Sequence, residues 1–72
     1  MPAWVHPRQR AIGVRIRTAR RDAGLTQEAL AERVGRDRKT LVRWENAYSV
    51  PDLVDLLLIA DALGIPLAEL VR

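Results

Sequence analysis

The stretch TQEALAERVG at residues 26–35, followed by RDRKTLVRWEN at 36–46, decides the fold of this 72-residue chain. Thr26 suits the start of a helix, because its hydroxyl can accept a hydrogen bond from a free amide three residues later. Gly35 can adopt the left-handed conformation that a tight turn needs, and Asp37 can cap the helix that follows. The first helix carries an inward apolar stripe of Leu30, Ala31 and Val34. The stretch therefore predicts two short helices joined by a glycine turn.

Helical spacing continues on both sides of this stretch. Apolar residues recur on one face from about residue 8 to residue 23, and Gly24 is suited to end that helix. A fourth helix is expected over residues 52–63, and Pro66 fits the first turn of a short fifth helix that ends at about Val71. The inward stripe expected for the fourth helix is Leu53, Leu56, Ile59, Ala60 and Leu63.

The N-terminus lacks the helical spacing of apolar residues seen in the rest of the chain. Residues 1–8 include two prolines and show no helical period, so we predict an N-terminal arm, with Trp4 folded over an edge of the core, followed by one domain at 9–72. No strand pattern competes with the helices. The sequence predicts an all-α protein, a compact five-helix bundle.

Composition excludes several classes of site. The chain has no cysteine and one histidine, His6, so we expect neither a disulfide nor a metal site. No nucleophile, base and acid recur in a catalytic pattern, and we predict that the protein is not an enzyme and uses no cofactor. No apolar run reaches membrane-spanning length and no secretory signal is present, which favours a cytoplasmic protein. No small-molecule ligand is evident.

Charge is divided unevenly along the chain. Residues 1–43 carry eleven basic and four acidic side chains, whereas residues 44–72 carry one basic and five acidic. Eleven of the twelve cations are arginine, whose planar fork suits phosphate and guanine. The basic half indicates either a polyanion partner or a solvated basic face.

Several motifs, taken in order, resemble one known family. They are IGVRIR (12–17), Arg20, GLTQEALA (24–31), Gly35, WEN (44–46), Pro51 and IADALGIPL (59–67). The set resembles the phage-repressor and Cro type of helix-turn-helix protein, also called the xenobiotic-response-element type, over residues 10–70. The resemblance implies a lambda-repressor-like fold that binds double-stranded DNA, with the helix from Asp37 to Asn46 in the major groove.

The resemblance also implies which side chains meet DNA. The base-contact positions are Arg38, Lys39, Thr40, Val42 and Arg43. Arg38 and Arg43 could each grip a guanine and Val42 could touch a thymine methyl, although a phosphate contact is the alternative for each basic residue.

A second group of side chains is expected at the DNA backbone. Gln27 and Asn46 occupy phosphate positions of the family, and Thr26 is chiefly a helix cap beside them. Tyr48 could donate its hydroxyl to a phosphate or pack in the core. Arg15 and Arg17 are candidates by charge alone.

Other family positions predict structural roles. Arg20 and Glu45 are expected to form an ion pair between the first and third helices, and Trp44 to lie in the core. The family usually has glycine where Ala47 stands, so the end of the third helix is expected to run on or to be strained.

Val54 and Leu58 lie one turn apart, off the inward stripe of the fourth helix. They predict either a partner surface, which would give a two-fold homodimer through helices four and five, or tighter packing against Trp4. The function that we expect is that of a transcription regulator, most simply a repressor, in a prokaryotic or phage setting and associated with the nucleoid. The alternative is a protein-interaction module, such as an antitoxin or an adaptor.

Overall fold

The computed structural model describes residues 1–72 and contains five helices and no strand. The helices are α1 (Val5–Asp22), α2 (Gln27–Arg33), α3 (Arg38–Glu45), α4 (Leu53–Leu63) and α5 (Ala68–Val71). The expected all-α fold is confirmed.

The first helix begins earlier than the sequence pattern suggested. Val5 to Arg8 form the first turn of α1, so the prediction of a non-helical arm over residues 1–8 is wrong for its second half. Pro7 is compatible with this turn, because amides in the first turn have no partner within the helix. Trp4 precedes the helix and is 66% exposed, so it covers the core less completely than expected.

Side-chain caps begin the three central helices. The Oγ1 of Thr26 accepts from the amide of Ala29 at 3.0 Å, and the Oδ1 of Asp37 accepts from the amide of Thr40 at 2.8 Å. Asp52 and Asp55 form a reciprocal capping box at the start of α4. Each cap satisfies amides that the helix leaves free, so the starts of α2, α3 and α4 follow from local chemistry.

The third helix ends on a strained residue. The amide of Ala47 donates to the carbonyl of Trp44, and the amide of Tyr48 donates to the carbonyl of Arg43. This pair of bonds is the Schellman motif, which needs a left-handed residue after the helix. Glycine fills that position after α1, α2 and α4, but Ala47 fills it after α3, with a φ of 59°. The expected strain at Ala47 is therefore present.

Every helix contributes one large, fully buried side chain to the core. These residues are Ile16, Leu30, Leu41, Ile59 and Leu70. Helix α3 packs mainly against α2 and α1. Leu53, which was expected in the buried stripe of α4, is 62% exposed, because the first turn of α4 points Asp55 and not Leu53 toward the protein. No helix has the length and apolarity needed to cross a membrane.

Candidate nucleic-acid interface

Helix α3 has two chemically different sides. Leu41, Trp44 and Glu45 are buried against the rest of the protein. Thr40 and Val42 are half-buried at the boundary. The cations of the helix, which all remain exposed, are Arg38, Lys39 and Arg43. All five predicted base-contact residues therefore lie on the outward side of α3 or at its edge.

Close backbone contact with α1 holds the end of α3. A Cβ atom built on Gly13 would lie 2.7 Å from the carbonyl oxygens of both Trp44 and Glu45, so only glycine fits there. Gln9, one turn earlier on α1, donates from Nε2 to the carbonyl of Ala47 at 3.2 Å. These contacts place the last turn of α3 directly on α1.

A buried carboxylate on α3 accepts hydrogen bonds from side chains of α1 and α2. Arg20 donates to Glu45 through Nε at 2.7 Å and through Nη2 at 3.2 Å, and the Glu45 side chain is fully buried. The pair expected from the family resemblance is thus present. Arg17 Nε also reaches Glu45 at 3.4 Å, as does Gln27 Nε2 at 3.3 Å. The pattern of the sequence did not indicate these two extra donors.

The same network orients three of the predicted phosphate contacts. Asn46 accepts from Arg17 Nη2 at 3.0 Å through its Oδ1, and its Nδ2 donates to the carbonyl of Val42 at 2.9 Å. Gln27, Arg17 and Asn46 therefore lie together, where the start of α2 meets the end of α3. Each of them makes an intramolecular hydrogen bond in the unbound protein.

A shallow polar cleft adjoins this group. It is lined by side chains of α1, α2 and α3: Arg20, Arg21, Thr26, Gln27, Glu28 and Arg38. The Thr26 hydroxyl accepts from an amide, and its own proton is free to donate to another group. The cleft joins the start of α2 to the start of α3 as one surface.

The other two predicted phosphate residues, Arg15 and Tyr48, take no part in the hydrogen bonds of this group. Arg15 lies in a groove between α1 and the end of the chain with Leu63, Ile65 and Glu69, and its Nη1 is buried without a hydrogen-bond partner. Two helical steps rotate a side chain by about 200°, so Arg15 cannot share the face of Arg17. Tyr48 follows α3 and is highly exposed.

A second ion pair, which no pattern in the sequence predicted, joins the turn before α3 to α4. Arg36 donates to Asp55 Oδ1 through Nε at 3.2 Å and Nη2 at 2.8 Å. Burial alone would raise the pKa of Asp55, but the hydrogen bond from Arg36 and the amide of Asp52 outweigh it, so this pKa is lowered. The same hydrogen bond raises the pKa of Arg36. No local sequence signal pairs these two positions.

The cap at the start of α3 is also a titrating group. The pKa of Asp37 lies below its ordinary value because the side chain and amide of Thr40 both hydrogen-bond the carboxylate. Lys39 and Arg43 lower it further through their charge. No group of three or more histidine, aspartate or glutamate side chains is placed to hold a metal ion.

The chain is similar to known proteins along most of its length. Residues 16–70 match a family model described as helix-turn-helix. An HTH-type transcriptional regulator of Methanothermobacter thermautotrophicus is 49% identical over 49 residues, which are 68% of this chain and 71% of that protein. The crystal structure of the restriction-modification controller protein C.AhdI from Aeromonas hydrophila superposes with a TM-score of 0.83 at 37% identity, over 86% of this chain and 94% of that one.

Proposed function

Because the chain belongs to the phage-repressor and Cro type of helix-turn-helix family, we propose that it regulates transcription by placing α3 in the major groove of a specific DNA site. One observation carries the proposal: α3 buries Leu41, Trp44 and Glu45 while its cations remain exposed. At 1.5 Å per residue this helix is about 12 Å long, and the major groove is about 12 Å wide. The outward side of α3 thus has the size and the charge to enter the groove.

The outward side chains divide into two roles. We assign base contacts to Arg38, Lys39, Thr40, Val42 and Arg43. A guanidinium can donate two parallel hydrogen bonds to guanine O6 and N7, which discriminates by about 1–3 kcal/mol against another base. Val42 offers an apolar contact to a thymine methyl. The operator is therefore expected to contain at least one guanine that Arg38 or Arg43 reads.

Phosphate contacts flank this face. We assign them to Thr26, Gln27, Asn46, Tyr48 and Arg17. Glu45 faces two arginines, so one positive charge of that cluster is not neutralised, and Arg17 is its more accessible cation, with a side chain 33% exposed. A phosphate at the start of α2 could accept from Arg17 and Gln27 together. Arg15 is left out, because it lies in the groove beside α5.

Selection of bound oligonucleotides from a random duplex pool tests sequence-specific binding. The expected result is one enriched sequence. Arg38→Ala and Arg43→Ala should each lose preference at one base pair, by about 5- to 150-fold, which corresponds to about 1–3 kcal/mol. Arg33→Ala is the matched control, because Arg33 is an exposed arginine of α2 outside this face. Absence of enrichment, or an equal loss in the control, would contradict the proposal.

An apolar stripe on α4 supports a further part of the proposed function, which is that the protein forms a two-fold homodimer. Val54 and Leu58 are exposed, and the structure adds exposed Leu53 and Leu57 beside them. Contiguous apolar side chains of this kind favour a partner surface. We propose that two copies join through α4 and α5, bind half-sites about 34 Å apart, and repress by covering a promoter.

Sedimentation tests the dimer. The double variant Val54→Lys and Leu58→Lys should reduce the mass from that of two chains to that of one, whereas Val14→Lys, at an exposed valine of α1, should not. A single-chain mass for the unmodified protein, with and without operator DNA, would rule out the dimer.

The same stripe favours the second candidate function, a protein-interaction module such as an antitoxin or an adaptor. A salt series separates the two functions. Binding through several phosphates weakens steeply as salt rises, because counterions are released, whereas an apolar protein interface changes little. In either role we propose that the protein acts in the cytoplasm of a prokaryotic cell.

A further inference from the structure

An apolar groove lies between the first half of α1 and the loop that joins α3 to α4. Its volume is about 290 Å³, and its apolar walls are Met1, Trp4, Val5, Ile12, Trp44, Val50, Pro51 and Leu56. Trp4 and Val50 are two-thirds exposed at its mouth, whereas Trp44 is buried at its base. Large apolar side chains kept in contact with water beside a concave surface indicate a binding site.

The groove contains few polar groups, and all its charge is positive. Its polar lining side chains are Arg8 and Gln9, and no acidic residue lines it. Gln9 already donates to the carbonyl of Ala47. Arg8 donates one hydrogen bond, from Nη2 to the carbonyl of Val71 at 3.0 Å. The residue is exposed. A guanidinium has five N–H donors, so Arg8 keeps donors for a ligand at the edge of the groove.

We propose that this groove binds a small amphiphilic carboxylate. The apolar body of the ligand would lie between Trp4 and the base of the groove, and its carboxylate would accept hydrogen bonds from Arg8. The volume is at the small end of the range for ligand sites, so a body of one or two fused rings fits. The fork geometry of arginine favours a carboxylate over a neutral amide.

The groove lies on a different side of α3 from its exposed cations, because Trp44 is rotated by about 100° from Arg43 around the helix. Trp44 faces the groove, whereas Arg38 and Arg43 face solvent. Gly13, which touches the last turn of α3, also lines the groove. A bound ligand would therefore contact both α1 and α3 where the two helices meet. It would not occupy the face of α3 that is proposed to contact DNA.

Nuclear magnetic resonance of the indole N–H groups tests the proposal directly. The chain has two tryptophans and both line the groove, so each indole reports on it. The probes are 1-naphthaleneacetate and its neutral amide, 1-naphthaleneacetamide. The acid should shift both indole signals with saturation below about 1 mM, and the amide should bind at least about fivefold more weakly, because it lacks the charge.

Two pairs of variants locate the site. Arg8→Gln should reduce binding of the acid to the level of the amide, whereas Arg10→Gln, at an exposed arginine outside the lining, should not. Val50→Trp should fill the mouth and abolish binding of both probes. Val14→Trp adds the same ring at an exposed position of α1 outside the lining and should leave binding unchanged.

Three results would overturn the proposal. Unshifted indole signals at about 1 mM acid would show that no ligand of this class binds. Equal binding of acid and amide, unaffected by Arg8→Gln, would show an apolar surface without anion recognition. Indole shifts that follow protein concentration without any probe would assign the groove to a second copy of the chain. None of these measurements uses DNA, so they are independent of the proposed function.

Discussion

Arg36 Nη2 lies 2.8 Å from Asp55 Oδ1, and the same guanidinium lies 5.9 Å from the centre of the Trp44 ring. Arg36 belongs to the turn between α2 and α3, and Asp55 to the first turn of α4. Helix α3 packs mainly against α2 and α1, and this ion pair adds a polar link between the turn that precedes α3 and the start of α4. It joins the proposed DNA-contact helix to the proposed partner surface.

We expect acid to weaken the protein through Asp55. Its pKa is lowered in the folded state, so its stabilising contribution is complete above the ordinary aspartate value of about 3.9 and is lost as pH falls through the lower folded value. Urea unfolding at neutral pH and near pH 3 measures the loss. Asp55→Asn should cost about 1 kcal/mol at neutral pH and should reduce the loss between the two pH values.

The control for this prediction is Asp61→Asn, at an exposed residue of α4 that forms no ion pair. It should keep the pH dependence of the unmodified chain. If Asp55→Asn lost as much unfolding free energy between neutral pH and pH 3 as the unmodified chain, the effect would belong to other carboxylates. Asp37, whose pKa is also lowered, is one of them.

Loss of Arg20 should destabilise the fold strongly. Arg20→Met leaves the fully buried carboxylate of Glu45 without its closest cation, which costs about 3–5 kcal/mol in a buried site. Thermal unfolding should show a decrease in Tm of more than about 10 °C for a domain of this size. Arg21→Met, at the exposed neighbouring residue, should change the free energy of unfolding by less than about 0.5 kcal/mol. Similar Tm values for the two variants would show that Arg17 and Gln27 suffice to hold Glu45.

Gly13→Ala should destabilise the protein, although alanine is the better helix former. The added methyl would meet two backbone carbonyl oxygens at 2.7 Å, and separating α1 from α3 to relieve this costs about 1–3 kcal/mol. The higher helix propensity of alanine offsets at most about 1 kcal/mol of this cost. Urea unfolding monitored by tryptophan fluorescence measures the difference. A stabilised variant would mean that the two helices separate freely.

Ala47→Gly should be nearly neutral, in contrast to other buried alanines. Glycine adopts the left-handed conformation without strain, which stabilises the folded state by about 1–2 kcal/mol. This gain offsets the lost burial of the methyl group and the greater conformational entropy of glycine in the unfolded chain. We expect a change below about 0.5 kcal/mol. Ala31→Gly also removes a buried methyl, within α2, and should cost about 1.5–2 kcal/mol. Equal costs in denaturant unfolding would show that Ala47 is unstrained.

Much of the fold could be predicted, because its causes are local. Thr26, Asp37 and Asp52 begin helices through bonds to amides three residues away, and such bonds depend only on spacing along the chain. The helical period of the apolar residues likewise predicted that Leu30 and Ile59 lie in the core. The pair of Arg20 with Glu45 was expected from family resemblance, since no local rule joins residues that far apart.

What the tertiary structure alone decided is the relative rotation and offset of the helices. The spacing of apolar residues along one helix cannot show which of them extend beyond the edge of the neighbouring helix. For this reason Leu53 was expected to be buried, although it is exposed. The same rotation separates Arg15 from Arg17 and brings Arg36 to Asp55. Local hydrogen bonding and period thus determined which segments are helices. Packing of complete helices, which depends on side chains far apart in the chain, determined which residues meet.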